Sequence, residues 1–358
     1  MKHQRGSGKR TIAEKYNPYK AMTDNLVRMI EDGISPWQRP WNGAFAPAQP
    51  VNAIRKSNYN GINSFTLGMA LVGKEDPRFA TANQIEKAGW KLKPGAKGLP
   101  VYFFREISVS KKEEKTLGTV QDAEKGREPV PGTEETPGVS GSKAESVSEP
   151  RTRLVMWTYT VFHADDIDGI PPIERKPQEA TSDFVRYEMA DKVLSSLGLE
   201  GGIVHQGNKA FYRPSEDKIV LPPREDFKTH AGYYTVALHE AGHATGHESR
   251  LDRETIKLYH SDTKIRAKEE LTAEMASIMM AQRTGIPMDE DHLKNQAAYL
   301  ESWLGALKEN PKFLYKASQD AAKAVSFMLG KAGLAPGAGS DLAAVSESSD
   351  DEEMIPLM

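Results

Sequence analysis

The stretch VALHEAGHATG, residues 236–246, contains His239-Glu240-Ala241-Gly242-His243, an H-E-x-x-H motif. On an α-helix, residues four apart lie one above the other, so the two imidazoles point toward a single position. Neutral imidazoles at this spacing suit zinc, and a water molecule would fill an open coordination position. The stretch therefore predicts a buried helix with a catalytic metal site, in which His239 and His243 are ligands and Glu240 is the catalytic base. Zn²⁺ is the expected ion, with Mn²⁺ or another divalent metal as alternatives.

A third protein ligand is expected from KEELTAEMA, residues 268–276. Glu270 and Glu274 share one helix face there, so one can bind the metal while the other accepts the N–H of a ligand histidine. We assign Glu270 as the ligand and Glu274 as the carboxylate behind a histidine; the reverse assignment is the alternative. Glu269 is expected to be a solvated helix charge, and His247 a helix-end residue that does not bind the metal.

The composition points to an intracellular protein of two domains. The chain has 358 residues and no cysteine, which excludes disulfides, thiolate metal sites and a cysteine nucleophile. No apolar run is long enough to span a membrane, and the basic N-terminus lacks the apolar core of a signal peptide. We therefore expect a cytoplasmic protein with no membrane partner.

Charge is distributed unevenly along the chain. Residues 1–105 carry 17 Lys and Arg against 7 Asp and Glu, whereas the remainder carries 30 against 43. A basic N-terminal third favours contact with a polyanion, although a solvated basic surface is the alternative.

Local signals predict an N-terminal domain that mixes helices and strands. Its expected helices begin near Pro18, Phe65 and Thr81, the last with a capping box. Two strands, Leu99 to Phe104 and Leu154 to Phe162, flank a segment rich in Glu, Lys, Ser, Gly and Pro that has too few apolar residues to fold.

The C-terminal part is predicted to be mainly helical with a small sheet. Its expected strands are Gly202 to His205, Ala210 to Arg213 and Lys218 to Leu221. Its expected helices start near Asp183, His230, Lys268, Asp291 and Tyr315.

These signals together predict an α+β protein with the following organisation. The expected segments are a disordered basic N-terminus (1–15), an α/β domain (16–170) with a disordered insertion (108–151), a linker (171–181), a metal-binding domain (182–333) and a disordered acidic tail (334–358).

Several motifs resemble a known family. YNPY (16–19), PW (36–37), NYNGIN (58–63), GAKG (95–98) and VFH (161–163) resemble the single-stranded-DNA-binding domain of ArdC antirestriction proteins, also found in TraC-type plasmid primases. HEAGHATGHESRLDR and EELTAEMAS resemble the zincin-like metallopeptidase domain joined to it. The resemblance implies a protein that binds incoming mobile-element DNA during conjugation and protects it from host restriction, with a zinc-dependent hydrolase domain acting on a protein substrate.

DNA contact would combine base stacking on aromatic rings with neutralisation of phosphates by cations. The expected DNA-binding residues are Trp37, Arg39, Trp41, Lys56, Asn58, Tyr59, Asn60, Asn63, Lys93 and Lys97. Burial of the tryptophans in a small core, and turn positions for the asparagines, are the alternatives.

Two functional hypotheses remain open at this point. In the first, the metal site cleaves peptides, with Tyr259, His260 or Arg250 as a donor to the oxyanion. In the second, the protein only binds and protects DNA, and the metal is structural.

Overall fold

In the computed structural model, residues 17–31, 49–71, 74–109, 151–173, 183–288, 292 and 299–334 are described. By their contacts, the residues divide into one compact unit of residues 1–102 and 158–358 and a second unit of residues 103–157. The predicted N-terminal segment, most of the insertion, most of the linker and nearly all of the acidic tail lie outside the described residues.

The N-terminal part, where the structure describes it, contains six strands in two small sheets. The strands are β1 (Val51–Asn52), β2 (Arg78–Thr81), β3 (Lys91–Leu92), β4 (Leu99–Val109), β5 (Arg151–His163) and β6 (Ile167–Asp168). Four of them form a sheet in the order β1-β2-β5-β4, and β3 pairs with β6. β1 and β2 are parallel, whereas β2 and β5 are antiparallel with Phe79 opposite His163.

Three helices accompany this sheet, α1 (Pro18–Glu31), α2 (Gly61–Ala70) and α3 (Ala82–Lys87). The apolar face of α1 is buried. The predicted capping box is confirmed, because Gln84 N donates to Thr81 Oγ1 and Thr81 N donates to Gln84 Oε1. α2 begins four residues earlier than predicted. Leu67 of α2 and the following Leu71 pack with Phe79 of β2 in one hydrophobic core cluster.

The C-terminal part contains the three predicted strands, β7 (Gly202–His205), β8 (Phe211–Arg213) and β9 (Lys218–Leu221). β9 lies in the middle, parallel to β7 and antiparallel to β8. Among its described residues, the helices are α4 (Asp183–Ser195), α5 (His230–Ala244), α6 (Glu254–Lys257), α7 (Thr263–Thr284), α8 (Leu300–Glu309) and α9 (Phe313–Lys331). The predicted mixture of a small sheet and many helices is therefore confirmed.

The ends of α5 and α7 follow from local chemistry. Thr229 begins α5 by accepting a hydrogen bond from Gly232 N. Asp262 begins α7 by accepting from Lys264 N and Ile265 N, so the helix starts five residues before the predicted Lys268. Gly285, at φ 70°, ends α7 in the left-handed conformation that glycine tolerates.

Helices α1 and α2 pack on C-terminal helices within the first compact unit. α2 contacts α7 and α9, and α1 contacts α8 and α9. Gln282 of α7 accepts a hydrogen bond from Ser64 Oγ at 2.7 Å and donates one to Ser64 O at 3.1 Å. Arg283, the next residue, donates to Asn60 Oδ1 at 2.7 Å. Among the described helices, none combines the length and apolar character needed to cross a bilayer.

Candidate metal centre

The centre is built where α5 crosses α7. His239 and His243 lie one helical turn apart on α5, and both side chains are almost completely buried. Gly242 lies between them at the crossing, where a Cβ atom would be 3.1 Å from Ala273 Cα and 3.2 Å from Ala273 O. The glycine of the motif thus allows the backbones of the two helices to approach closely.

Glu270 of α7 faces both imidazoles. Its Oε2 atom lies 3.6 Å from His239 Nε2, and its Oε1 atom lies 3.8 Å from His243 Nε2. One potential ligand atom from each of the three residues falls within 4.8 Å of the others. The structure therefore brings together the three residues that the sequence predicts as metal ligands.

Each imidazole is held from behind by a buried carboxylate. His239 Nδ1 lies 3.2 Å from Glu274 Oε2, and His243 Nδ1 lies 3.2 Å from Glu269 Oε1. An ionised carboxylate only accepts hydrogen bonds, so each Nδ1 donates. When the rings are neutral, this tautomer leaves the lone pair of each Nε2 on the side of Glu270.

The prediction that Glu269 is a solvated charge is wrong. Its side chain is fully buried and accepts hydrogen bonds from Arg253 Nη2 at 2.6 Å and Arg253 Nε at 3.2 Å. Thr255 also donates to it. Burial disfavours its charge, but Arg253 and the hydrogen bond from His243 outweigh burial and lower the pKa of Glu269 to about 2.

His292 is a further member that sequence reasoning missed. It is buried, and its Nε2 atom lies 2.9 Å from Glu274 Oε2, the atom that also contacts His239 Nδ1. No motif indicates this residue, because it lies 18 positions beyond Glu274.

The charges of the side chains around the centre favour a cation between them. Burial opposes ionisation of Glu270, but the adjacent imidazoles of His239 and His243 lower its pKa to about 2. Burial likewise opposes a charge on His239, yet the neighbouring carboxylates of Glu270 and Glu274 raise its pKa well above the usual value. Two imidazole nitrogens and one carboxylate form a donor set typical of zinc and of other divalent transition metals. The residues present therefore fit a divalent metal ion.

Glu240 and Tyr259 complete the immediate surroundings. Glu240, between the two histidines in sequence, is buried. The Tyr259 hydroxyl donates to Glu270 Oε1, and its ring packs edge-on to His243 with 5.9 Å between the centroids. Arg250, by contrast, is engaged by Asp217 and by Ala244 O, so it does not serve as an oxyanion donor.

The expected DNA-binding residues fall into three groups. Trp37, Arg39 and Trp41 lie outside the described residues. Lys56, Lys93 and Lys97 are exposed, although Lys93 Nζ donates to Asp165 O at 2.8 Å. Asn58 and Asn60 are half-buried.

The expectation of DNA contact is not met at Tyr59 and Asn63. The Tyr59 ring is buried against Phe79, and its hydroxyl accepts a hydrogen bond from Asn52. The Asn63 amide is buried and bonds both backbone groups of Tyr102, each at 2.8 Å. Neither side chain offers a surface to a base, and Asn63 instead ties α2 to β4.

Two family models match the chain. Residues 16–162 match the N-terminal domain of the anti-restriction factor ArdC, and residues 188–320 match a zincin-like metallopeptidase. The chain thus joins an ArdC-type N-terminal domain to a zincin-like metallopeptidase domain.

Individual sequence relatives and solved structures are also similar to this chain. Two proteins described as DNA primase TraC, both from Escherichia coli, are 36% and 35% identical over 89% and 87% of this chain. The chain spans only 28% and 20% of the length of these two relatives. Crystal structures of the antirestriction protein ArdC from plasmid R388 match with TM-scores of 0.62 for the metal-free form and 0.58 for the Mn(II)-bound form. Their sequence identities are 27% and 28%; the matches cover 89% and 88% of this chain and 98% of ArdC in each case. The chain is thus similar to ArdC over both domains, and a divalent metal is consistent with a zincin-like domain.

Proposed function

We propose that this chain binds single-stranded DNA, carries a metal-dependent peptidase centre, and protects incoming mobile-element DNA from host restriction. One observation carries the proposal: two imidazoles and Glu270 converge beside Glu240, in a chain that also has an ArdC-type N-terminal domain. The substrate of the peptidase would be a protein, and its action would be separate from DNA binding.

His239, His243 and Glu270 would hold the metal, which we infer to be Zn²⁺. When bound, a metal of this kind polarises a carbonyl and makes water more acidic. Glu274 and Glu269 fix the imidazole tautomers through Nδ1, so the ligand atoms need no reorientation. Glu274 is thus the supporting carboxylate and Glu270 the ligand.

Glu240 would act as the general base that takes a proton from the attacking water. It follows His239 directly on α5, so the helix that presents both imidazoles also fixes the position of the base. Tyr259 keeps its proton, because burial and the neighbouring Glu270 charge raise its pKa. Its hydroxyl is therefore a hydrogen-bond donor at the edge of the centre.

DNA binding would depend on the basic N-terminal part. Lys56 and Lys97 are exposed, and each occupies a turn or loop that presents a cation to solvent. Salt-dependent neutralisation of phosphates needs cations of this kind. Trp37, Arg39 and Trp41 would supply stacking and further charge, while Asn58 and Asn60 would contact the strand beside them.

Burial of the centre favours a second candidate function, in which the metal is structural and no peptide is cleaved. His239, His243, Glu270 and Glu240 are between 4% and 8% exposed. A centre so enclosed admits a peptide only after a movement of the surrounding chain. DNA protection would then rest on binding alone.

A comparison of peptide cleavage by the wild type and by Glu240→Gln distinguishes a peptidase centre from a structural metal. We expect the zinc-loaded wild type to cleave members of a fluorescence-quenched peptide library. Glu240→Gln should lower the rate by about 10² to 10⁴, because it removes the general base. Glu248→Gln, at an exposed glutamate eight residues further on, is the matched control and should keep full activity.

Binding of labelled single-stranded and double-stranded oligonucleotides, followed by fluorescence anisotropy, tests the other half of the proposal. Glu240→Gln should bind the single strand as the wild type does. Loss of DNA binding in this variant would contradict independent roles, and absence of cleavage by the wild type would favour the structural metal.

A further inference from the structure

His292 lies behind the metal centre, separated from it by one carboxylate. Its Nε2 atom is 2.9 Å from Glu274 Oε2, and Glu274 Oε2 is 3.2 Å from His239 Nδ1. The His292 ring also packs against the His239 ring, with 5.4 Å between centroids at an angle of 65°. The three side chains thus form a chain of contacts that ends on an expected ligand.

The direction of these hydrogen bonds follows from the chemistry of the carboxylate. Glu274 is fully buried, and its Oε2 atom lies within hydrogen-bond distance of one nitrogen from each imidazole. An ionised carboxylate has no proton to donate, so both imidazoles donate to Oε2. His292 must therefore carry its proton on Nε2.

We propose that His292 is a positioning residue for metal binding, which orients Glu274 and through it the imidazole of His239. This inference rests on the metal centre of the proposed function. The terminal torsion angle of a glutamate side chain, χ3, has a broad range. A second hydrogen-bond donor to the same carboxylate oxygen restricts that range. Supporting groups behind ligand histidines contribute to metal affinity in this way.

The other ligand histidine has an equivalent arrangement. Glu269, behind His243, is held by Arg253 and Thr255. Glu274, behind His239, receives its donor from His292. Each imidazole is therefore backed by a carboxylate that is itself fixed by a donor from another segment of the chain.

A second metal ion on His239, Glu274 and His292 is the competing interpretation, since their ligand atoms also lie within 4.8 Å of one another. Two features favour a hydrogen-bonded chain instead. The contacts of 2.9 Å and 3.2 Å to one oxygen are of hydrogen-bond length. The same His239 ring would also have to give up its Nδ1 proton to bridge two cations.

The test compares two substitutions of His292 in the full chain. His292→Phe keeps a ring of similar size and removes the donor, whereas His292→Gln can present an N–H group near the position of Nε2. Zn²⁺ affinity of the metal-free proteins is measured by competition with a chromophoric chelator, and stoichiometry by elemental analysis. His247→Phe and His247→Gln are the matched controls, because His247 contacts Ser249 and not the centre.

We expect His292→Phe to weaken Zn²⁺ binding about tenfold, and His292→Gln to recover most of the loss. Both His247 variants should bind as the wild type does. Thermal unfolding of each metal-free protein checks that it is folded. If His292→Phe does not fold, His292→Gln is compared with His292→Asn, whose shorter amide does not reach Glu274 and should bind more weakly.

Three results would overturn the inference: unchanged affinity in His292→Phe, an equal loss in the Phe and Gln variants, or two zinc ions per wild-type chain with one lost in His292→Phe. Failure of the wild type to bind Zn²⁺ would instead contradict the metal centre itself. The two failures are therefore distinguishable without measuring peptidase activity.

Discussion

Arg253 is the residue whose contacts explain the sequence after the metal helix. Its guanidinium pairs with Glu269, donates to Thr245 Oγ1 at 2.6 Å and to Gly242 O at 2.7 Å, and is itself buried. Gly246 leaves room for it, since a Cβ atom there would lie 2.8 Å from Arg253 Nη2. One buried cation thus closes the end of α5 and holds the carboxylate behind His243.

Glu269→Gln should therefore destabilise the metal-free protein by about 3 to 5 kcal/mol, because it leaves Arg253 buried without its counter-charge. Urea denaturation measures the change in the free energy of unfolding. Glu254→Gln, at an exposed glutamate on α6, is the control. Equal stability of the Glu269 variant and the wild type would show that the pair contributes little.

At this scale the sequence predicts which side chains converge better than it predicts the burial of their neighbours. His239, His243 and Glu270 follow from i,i+4 spacing and from the chemistry of zinc. The prediction of a solvated Glu269 fails because the i,i+4 spacing carries no information on the burial of a neighbouring charge. α7 is in fact buried along most of its length, so position on the helix does not tell exposed charges from buried ones.

At the scale of elements, Asp217 joins the β8–β9 connection to the end of α5. It adopts a left-handed conformation at φ 43°, and its carboxylate accepts from Arg250 Nη1 at 2.9 Å and from the Tyr212 hydroxyl at 2.8 Å. Arg250 in turn donates to Ala244 O, the last residue of α5, at 2.7 Å. A single ion pair therefore links the small sheet to the metal helix.

This link should make stability depend on pH below 4. Burial opposes the charge of Asp217, but the hydrogen bonds from Arg250, Glu200 N and Tyr212 lower its pKa from 3.8 to about 2. A carboxyl group whose pKa is lower in the folded state stabilises the fold at pH values above its unfolded-state pKa. This contribution is lost as the pH falls through the folded-state pKa. Asp217→Asn should be less stable by about 3 kcal/mol at pH 7, since Arg250 is left unpaired.

Urea denaturation between pH 7 and pH 2 measures both effects. The difference between wild type and Asp217→Asn should narrow as pH falls from about 4 to about 2. A difference that stays constant over this range would contradict the assignment of the acid-sensitive contribution to Asp217. Asp226→Asn, at an exposed aspartate, is the control.

α7 connects the metal centre to the N-terminal part. Its first half carries Glu270, and its second half carries Gln282, which bonds the hydroxyl and the carbonyl group of Ser64. Gly68 lies opposite, where a Cβ atom would come within 2.1 Å of Gln282 Nε2. The Gln282 amide thus fills the space beside α2 that the absence of a side chain at Gly68 provides.

Gln282→Leu should cost about 1 to 3 kcal/mol, because it leaves buried groups of Ser64 without these partners. The variant should retain Zn²⁺ affinity, since Gln282 lies three helical turns from Glu270. Urea denaturation and chelator competition measure the two quantities, with exposed Gln206→Leu as the control. A loss of metal affinity as large as that of a ligand variant would contradict this separation.

At the scale of the whole molecule, we propose that the basic N-terminal part binds DNA and that the more acidic C-terminal part carries the metal centre. The affinity for single-stranded DNA should fall with salt, and Lys56→Gln and Lys97→Gln should each reduce the slope of log affinity against log salt by about 1. Anisotropy titrations over a salt series measure the slope. Lys316→Gln, at an exposed lysine of α9, should leave it unchanged. Unchanged slopes in both test variants would move the DNA site to other residues.

The sequence predicts much of the architecture, because the strands of the small sheet and the helices around it have clear periodicity and caps. β1, β2, β3 and β6 were not predicted. They have two to four residues each, too few for an alternating pattern to stand out. The burial of Tyr59 was missed for a related reason: an aromatic residue beside asparagines suits either a core or a binding surface until its neighbours are known.

Zn²⁺ affinity of Glu270→Gln and Glu274→Gln, each compared with the wild type by calorimetric titration of metal-free protein, tests the central claim most directly. The wild type should bind one ion per chain. Glu274→Gln should bind about 10 to 100 times more weakly because a supporting group is lost, and Glu270→Gln more weakly still because a ligand is lost. Wild-type affinity in Glu270→Gln, or a larger loss in Glu274→Gln, would contradict the assignment of His239, His243 and Glu270 as the metal ligands.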